Sequence, residues 1–363
     1  MLSSMSHKPK ITVLLPVYNC ELYIQTAVES ILNQTFTDFE LLVIDDASTD
    51  TTVSILKKID DSRIQLIKKP VNSGYTNSLN SGLKLAKGEY IARMDGDDIS
   101  YPERFAQQIA YLETHPEVVV CGTTYKIVGN DKRITLPEHH EAIKISLLWG
   151  NCISHPSVMI RKKVLDQYSI QYDTSKEPAE DYDMWVRLLS LGKLHNLQEV
   201  LLEYRVYGNQ VSRKRAEEQK KNDIAAKLKL LQYLGVQWND GEFKFLERQF
   251  GKTEAVSFQD LKIFKQIQKR LELANTSVFF ESKRFSQYLV DLEADVLRKC
   301  FLKQKRYSLS MYLEYLLAKY KWKAKLPIKQ ELKLGLKSLV FWKTQRGMLK
   351  TNPAMIVNKK NNG

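Results

Sequence analysis

The chain has 363 residues, 43% of them hydrophobic and 27% charged, with a formal net charge of +13. These fractions exclude bulk disorder and leave room for one large domain with an appendage, or for two modest domains. Its four cysteines, Cys20, Cys121, Cys152 and Cys300, lie far apart without a C-x-x-C pair, which argues for reduced thiols and against a zinc centre or disulfide framework. No apolar run reaches the ~18 residues of a spanning helix, and the first ten residues lack an apolar stretch of signal-peptide length. The expected location is therefore the cytoplasm, or the cytoplasmic face of the inner membrane. The charge is uneven: residues 1–215 are close to neutral, and almost all the positive excess follows Leu297.

In chain order, continuous apolar runs at Ile11–Val17, Phe39–Ile44, Ile64–Ile67, Tyr90–Met94 and Val118–Cys121 predict strands covered on both faces. Helical spacing lies between them, at Leu22–Leu32, Thr51–Ile59 and Tyr75–Ala86. Asp50 is the expected cap of the second of these helices, and Asn72 or Ser73 of the third. Alternating strands and helices predict an α/β fold with a mostly parallel sheet. Ligands of such sheets bind beyond the carboxyl ends of the strands. Tyr18 and Asn19, Asp45 and Asp46, and Asp95 and Asp97 fall at those ends. Near Arg213 the texture changes. Helical patterns rich in charged residues follow at Ala216–Leu234, Phe258–Ala274 and Phe285–Leu302. A boundary is expected within 210–216, with a basic helical region over 213–350. The polar residues 351–363 are expected to form a flexible tail.

Several stretches carry chemistry. In Arg93-Met94-Asp95-Gly96-Asp97-Asp98, carboxylates follow an apolar strand. Asp95 and Asp97 share one side of an extended segment, because the side-chain period is two. Such a pair suits Mg²⁺ or Mn²⁺ bound to a diphosphate, although a solvated acidic turn has the same composition. Asp46 ends a buried strand and is placed to meet a base or ribose; ordinary turn chemistry is the plainer reading. Asn72-Ser73-Gly74 opens a helix whose N-terminus can face a diphosphate, or is simply a turn. Glu180-Asp181 begins an amphipathic helix. Carboxylates there stabilise the helix dipole, or take a proton from a hydroxyl.

These stretches, together with Leu14-Leu15-Pro16-Val17-Tyr18-Asn19, Ser30 through Phe36, His155 through Ile160 and Tyr204-Arg205, occur in an order that resembles the family 2 glycosyltransferases. The resemblance covers roughly residues 8–212 and implies a GT-A fold, a Rossmann-like nucleotide-diphospho-sugar transferase domain. It implies an inverting transfer from an NDP-sugar, UDP-linked in the first instance, to a hydroxyl of a glycan or lipid-linked acceptor in cell-surface polysaccharide synthesis. Pro16, Val17 and Tyr18 would line the nucleoside site and Asp46 would contact the base. Asp95 would sit near ribose or the metal, Asp97 would ligate Mn²⁺ or Mg²⁺, and Asp181 would be the general base, with Glu180 as its alternative. His155 lies on the acceptor side without an assigned role. Related sequences often place a histidine where this chain has Tyr207, which leaves the affinity for metal open. The alternative of another class is a non-catalytic nucleotide-sugar-binding subunit of a glycan assembly complex.

After Leu297, lysines and arginines interleave with Tyr307, Tyr312, Tyr315, Tyr320, Trp322, Phe341 and Trp342. Such a region suits peripheral contact with anionic lipid, or a helical cap on the catalytic domain. No recognition motif accompanies the charge, so nucleic acid is not an expected partner.

Overall fold

Alternate side chains of a strand point to opposite faces, so an unbroken apolar run is buried only if both faces are covered. The computed structural model, which describes residues 8–206, 215–251, 256–277 and 279–343, shows this for β1 (Ile11–Val17) and β2 (Phe39–Asp45), buried at every position. Leu14 and Leu42 enter one apolar cluster, while Val13, Leu15, Leu41 and Val43 enter the other. Beside them run β3 (Ile64–Lys68) and β4 (Tyr90–Arg93). Five further strands complete the sheet: β5 (Ile99–Ser100), β6 (Val118–Ile127), β7 (Asn130–Ile134), β8 (Met159–Arg161) and β9 (Lys193–Tyr204).

The nine-stranded sheet has the order β3-β2-β1-β4-β8-β6-β9-β5, with β7 paired to β6. Strands β1 to β4 are mutually parallel, as are β6 and β9, while β5, β7 and β8 pair antiparallel with their neighbours. The expected mostly parallel α/β sheet is present, and antiparallel strands interrupt it beyond β4. Helices α1 (Ile24–Leu32) and α4 (Arg104–Thr114) cover one face. On the other lie α3 (Tyr75–Leu85), α5 (His140–Trp149) and α7 (Glu180–Leu188). Two short helices, α2 (Thr52–Leu56) and α6 (Lys162–Gln167), complete this part. The second expected helix is thus shorter than its sequence pattern.

Neither expected cap holds its position. Thr51, not Asp50, stands at the cap of α2, because the helix starts one residue later; Asp50 still accepts from the Thr52 amide at 2.9 Å. At α3 the cap position belongs to Gly74, whose φ of 95° is a left-handed value that glycine alone tolerates readily. Neither Asn72 nor Ser73 caps that helix, because the chain turns one residue later to bring its amides to Asp46.

After Arg215 the described chain is helical: α8 (Ala216–Gln232), α9 (Asp240–Phe250), α10 (Phe258–Ala274), α11 (Ser282–Phe301), α12 (Leu309–Trp322) and α13 (Ile328–Leu339). Side chains reaching α9 and α10 bonds, such as Asn239 with Glu242 and Ser257 with Asp260, form reciprocal capping boxes. The apolar faces of these helices join the cluster that already holds Leu14, Ile44 and Trp185, so sheet and helices share a core. The expected boundary, Tyr207 and the tail 351–363 fall wholly or partly outside the described residues.

Candidate active site

The carboxyl ends of β1, β2 and β4 meet at one edge of the sheet, since Val17 lies opposite Asp45 and Leu14 opposite Arg93. Pro16 and Val17 are buried in β1, and Tyr18 emerges 46% exposed. Asn19 then turns with φ 50° and binds across the edge: its amide donates to Ser48 Oγ at 3.0 Å, and its Oδ1 accepts from the Thr49 amide at 2.8 Å. Gly96 packs beside the same strand end, where a Cβ would lie 3.1 Å from Val17 Cγ1 and 3.3 Å from Cys20 Sγ. The glycine therefore lets the acidic loop lie close against β1.

Asp46 organises the loop after β3. Its Oδ1 accepts from the Ser73 amide at 3.0 Å and pairs with Lys69 Nζ at 2.7 Å, while Oδ2 accepts from the Gly74 amide at 2.9 Å. Burial opposes its ionisation. Lys69 and the two amides outweigh burial and hold the carboxyl below the usual range.

The acidic loop follows β4. Carboxylate oxygens of Asp95, Asp97 and Asp98 lie within 4.8 Å of one another. Asp95 and Asp97 are half-buried, whereas Asp98 is buried. Arg205 fastens the loop from β9's end: its amide donates to Asp98 Oδ1 at 2.8 Å, and its Nε donates to the Asp97 carbonyl at 2.8 Å. Burial, reinforced by Asp95 and Asp97, pushes the Asp98 carboxyl well above its ordinary value. That leaves Asp95 and Asp97 as the more accessible carboxylates of the three. Hard carboxylate oxygens at this spacing fit a divalent cation such as Mn²⁺ or Mg²⁺.

Arg93 lies beneath this loop, 3% exposed, with Nη2 2.5 Å from Asp95 Oδ1. Its guanidinium carbon is 5.4 Å from the centre of the Tyr75 ring, and the Tyr75 hydroxyl is 3.4 Å from Asp95 Oδ1. Tyr75 follows Gly74, so Asp46 and Asp95 are linked through one turn of chain. His155 extends the link. Its ring lies 6.4 Å from Tyr75 and 5.7 Å from Trp185 of α7, and its Nε2 is 2.8 Å from the Tyr172 hydroxyl. Burial and Arg93 keep this histidine neutral, so it packs between α3 and α7.

Asp181 sits in the first turn of α7. Its Oδ2 accepts from Asn151 Nδ2 at 2.7 Å, and its Oδ1 accepts from the Tyr182 amide at 2.7 Å. Burial pushes its carboxyl up to about 6, against the opposing pull of these hydrogen bonds and Arg93. Neighbouring Glu180 is 5% exposed, and burial and Asp181 raise it further. Arg93 acts electrostatically on Asp95, Asp98, Glu180 and Asp181, and so joins the acidic loop to α7. Sequence reading named the acids but missed Arg93, Lys69 and Arg205 as their partners. One signal was available: a charged residue closing an apolar, doubly covered strand needs a partner.

A family model for glycosyl transferase family 2 matches residues 12–174. A Haemophilus influenzae protein named as an uncharacterized glycosyltransferase is 34% identical over 239 residues, which cover 62% of this chain and 73% of that protein. Escherichia coli WfaP, a UDP-Glc:alpha-D-GlcNAc-diphosphoundecaprenol beta-1,3-glucosyltransferase, is 33% identical over 209 residues, covering 56% of this chain and 79% of WfaP. Among solved structures, S. aureus TarS 1-349 in complex with UDP-GlcNAc matches with a TM-score of 0.55 at 19% identity. That match covers 88% of this chain and 93% of the other, a likeness of fold.

Proposed function

The chain belongs to glycosyltransferase family 2, and from that premise we propose that it moves a sugar from a UDP-sugar to a hydroxyl of a glycan or lipid-linked acceptor, with inversion. The observation that carries this reading is the electrostatic link, through Arg93, between the accessible Asp95/Asp97 pair and Asp181. The name of WfaP supports UDP as the donor nucleotide.

In this reading Pro16, Val17 and the exposed ring of Tyr18 flank the nucleoside. Asp46 shapes the base site, both by its own carboxylate and by holding Ser73 and Gly74 in place. Asp95 and Asp97 would hold Mn²⁺ or Mg²⁺, which supplies Lewis-acid stabilisation to the departing diphosphate. Asp181 takes the proton of the acceptor hydroxyl as that oxygen bonds to the anomeric carbon. The bond from the anomeric carbon to the diphosphate breaks on the opposite face, and its electron pair leaves with the diphosphate oxygen. Glu180 is the poorer base, because its buried, strongly raised carboxyl is less available as the anion. Asp181's placement favours an enzyme over a non-catalytic subunit that binds the nucleotide sugar.

The direct test incubates the purified chain with Mn²⁺ and a panel of UDP-sugars, without acceptor, and measures released UDP. One or two donors are expected to be hydrolysed slowly, and EDTA is expected to stop the release. A chain that neither binds nor hydrolyses any nucleotide sugar would refute the reading.

Peripheral attachment to the cytoplasmic leaflet belongs to the same proposal. Among the described residues no helix is long and apolar enough to cross a membrane. Helices α12 and α13 nevertheless carry a second apolar face each. Their inner sides bury Tyr315, Ala318 and Leu334 at 0% exposure. Their outer rows leave Leu313 63%, Tyr320 89%, Ile328 78% and Leu336 66% exposed. Lysines flank these rows, as anionic lipid requires. Leu313→Asp with Leu336→Asp is expected to lower flotation on vesicles of 30% phosphatidylglycerol by at least about tenfold. Unchanged flotation would remove the membrane from this proposal.

A further inference from the structure

Two adjoining cavities, of about 290 and about 310 Å³, open where the C-terminal helices meet α5. Both are lined by Trp149, Asp295 and Arg298, so they form one groove. Trp149, the last residue of α5, is 45% exposed and meets Tyr288 edge to face with ring centres 4.9 Å apart. A half-exposed indole in a concave site offers an apolar face to the C–H face of a sugar ring.

Two lining residues, one on each wall, stand close in the chain to residues that reach Asp181. Trp149 stands two residues before Asn151, whose amide donates to Asp181. On the other wall, Lys227 lies one helical turn after Asp223, which is close enough to act electrostatically on Asp181. At the far end, Lys325, Pro327 and Gln330 line the groove just where α13 and its exposed apolar row begin. The walls are basic: Lys227, Arg298, Lys299, Lys303 and Lys325 face Asp291 and Asp295. Asp295 is engaged by Arg298 at 2.5 Å and by Lys299 at 2.8 Å.

We propose that this groove is the acceptor subsite and takes a glycosyl diphosphate, the sugar ring on Trp149 and the diphosphate among Lys227, Arg298 and Lys303. The inference rests on the sugar-transfer reading and deepens it by naming the class of acceptor. A lipid tail then leaves past Pro327 toward the outer row of α13. The C-terminal helices thereby carry half of the substrate recognition.

The test uses the full chain with UDP and Mn²⁺ at saturation, so that the donor site is filled. Three soluble probe types are titrated: decyl diphosphates of glucose, galactose and N-acetylglucosamine, the matching decyl glycosides, and inorganic pyrophosphate. At least one glycosyl diphosphate is expected to bind about tenfold or more tighter than its glycoside, because charged groups strengthen the hydrogen bonds. Trp149→Ala should weaken both glycosyl probes about tenfold and leave pyrophosphate unchanged. Lys303→Glu and Arg298→Gln should weaken the diphosphate probes and leave the glycosides unchanged. Melting temperatures establish that each variant is folded. Equal affinity for glycoside and diphosphate, indifference to all three substitutions, or no saturable binding would each overturn the proposal. UDP-sugar hydrolysis by the unaltered chain separates the two readings. Hydrolysis without probe binding counts against the groove alone, and probe binding without hydrolysis counts against sugar transfer.

Discussion

Asp181→Asn protein is expected to transfer sugar about 10²–10⁴-fold more slowly than the unaltered chain, with UDP-sugar affinity preserved. Asparagine keeps the shape of the side chain and can still accept from the Tyr182 amide, but it cannot take a proton. The pH dependence carries a second signature. Burial pushes the Asp181 carboxyl up to about 6, so the unaltered chain should lose kcat/KM as pH falls through about 6. That limb should be absent from the residual activity of the variant. Stability moves the other way. A folded-state value above the ordinary carboxylate range means that the native state favours the protonated form. The resulting stabilisation is present below about pH 4 and is lost as pH rises through about 6. At pH 7.5 the buried charge opposes folding, and its removal offsets the hydrogen bond lost from Asn151, so the variant should melt close to the unaltered chain. Full transfer by the variant would end the assignment. A loss of transfer that simply follows a lower melting temperature would make Asp181 structural.

Removing the accessible acid of the loop should be as damaging by a different route. Asp97→Ala is expected to lower Mn²⁺-dependent transfer on the order of 10³-fold, the scale of a few kcal/mol of charge stabilisation on a leaving diphosphate. UDP affinity measured calorimetrically with Mn²⁺ should fall by at least about tenfold, and affinity in EDTA should stay the same. The loop itself should survive, because Arg205 holds it by the Asp97 carbonyl and the Asp98 carboxylate, both of which the variant keeps. Identical UDP binding by the two proteins in Mn²⁺ would exclude Asp97 as a ligand. An Asp98→Asn control reads differently. That side chain is buried and its carboxyl strongly raised, so its loss should appear first as a lower melting temperature.

How much of this was legible depended on where each signal resides. Strand β1 runs over Ile11–Val17, as its largely apolar run predicts, because a doubly covered strand writes its burial into every position. Strand β9 escaped notice, since Lys193, Asn196, Gln198 and Glu199 break its alternation, and its register against β6 shifts more than once. Strand β8 has only three residues, too few for periodicity to register. In the site, Asp46 was visible as an acid at a strand end. Its pairing with Lys69 and with the Ser73 and Gly74 amides was not, because those partners lie more than twenty residues on. Tyr204-Arg205 stood out as a sequence feature, yet its task of fastening Asp97 and Asp98 required β9 to reach β5 across the sheet.

By itself the sequence determined which chemistry was on offer: acids at the carboxyl ends of parallel strands, in an order shared with one enzyme family, followed by a basic helical region. Those features are local, since strand period, glycine turns and charge runs are read within a few residues. Only the tertiary structure decided which acid does what. Asp97 and Asp98 are neighbours of one type, as nearly are Glu180 and Asp181, yet in each pair one side chain is half-buried while the other, Asp98 or Glu180, is buried with a strongly raised carboxyl. Desolvation and the reach of Arg93 make that division. Both sum over neighbours brought from distant parts of the chain, which no local pattern encodes.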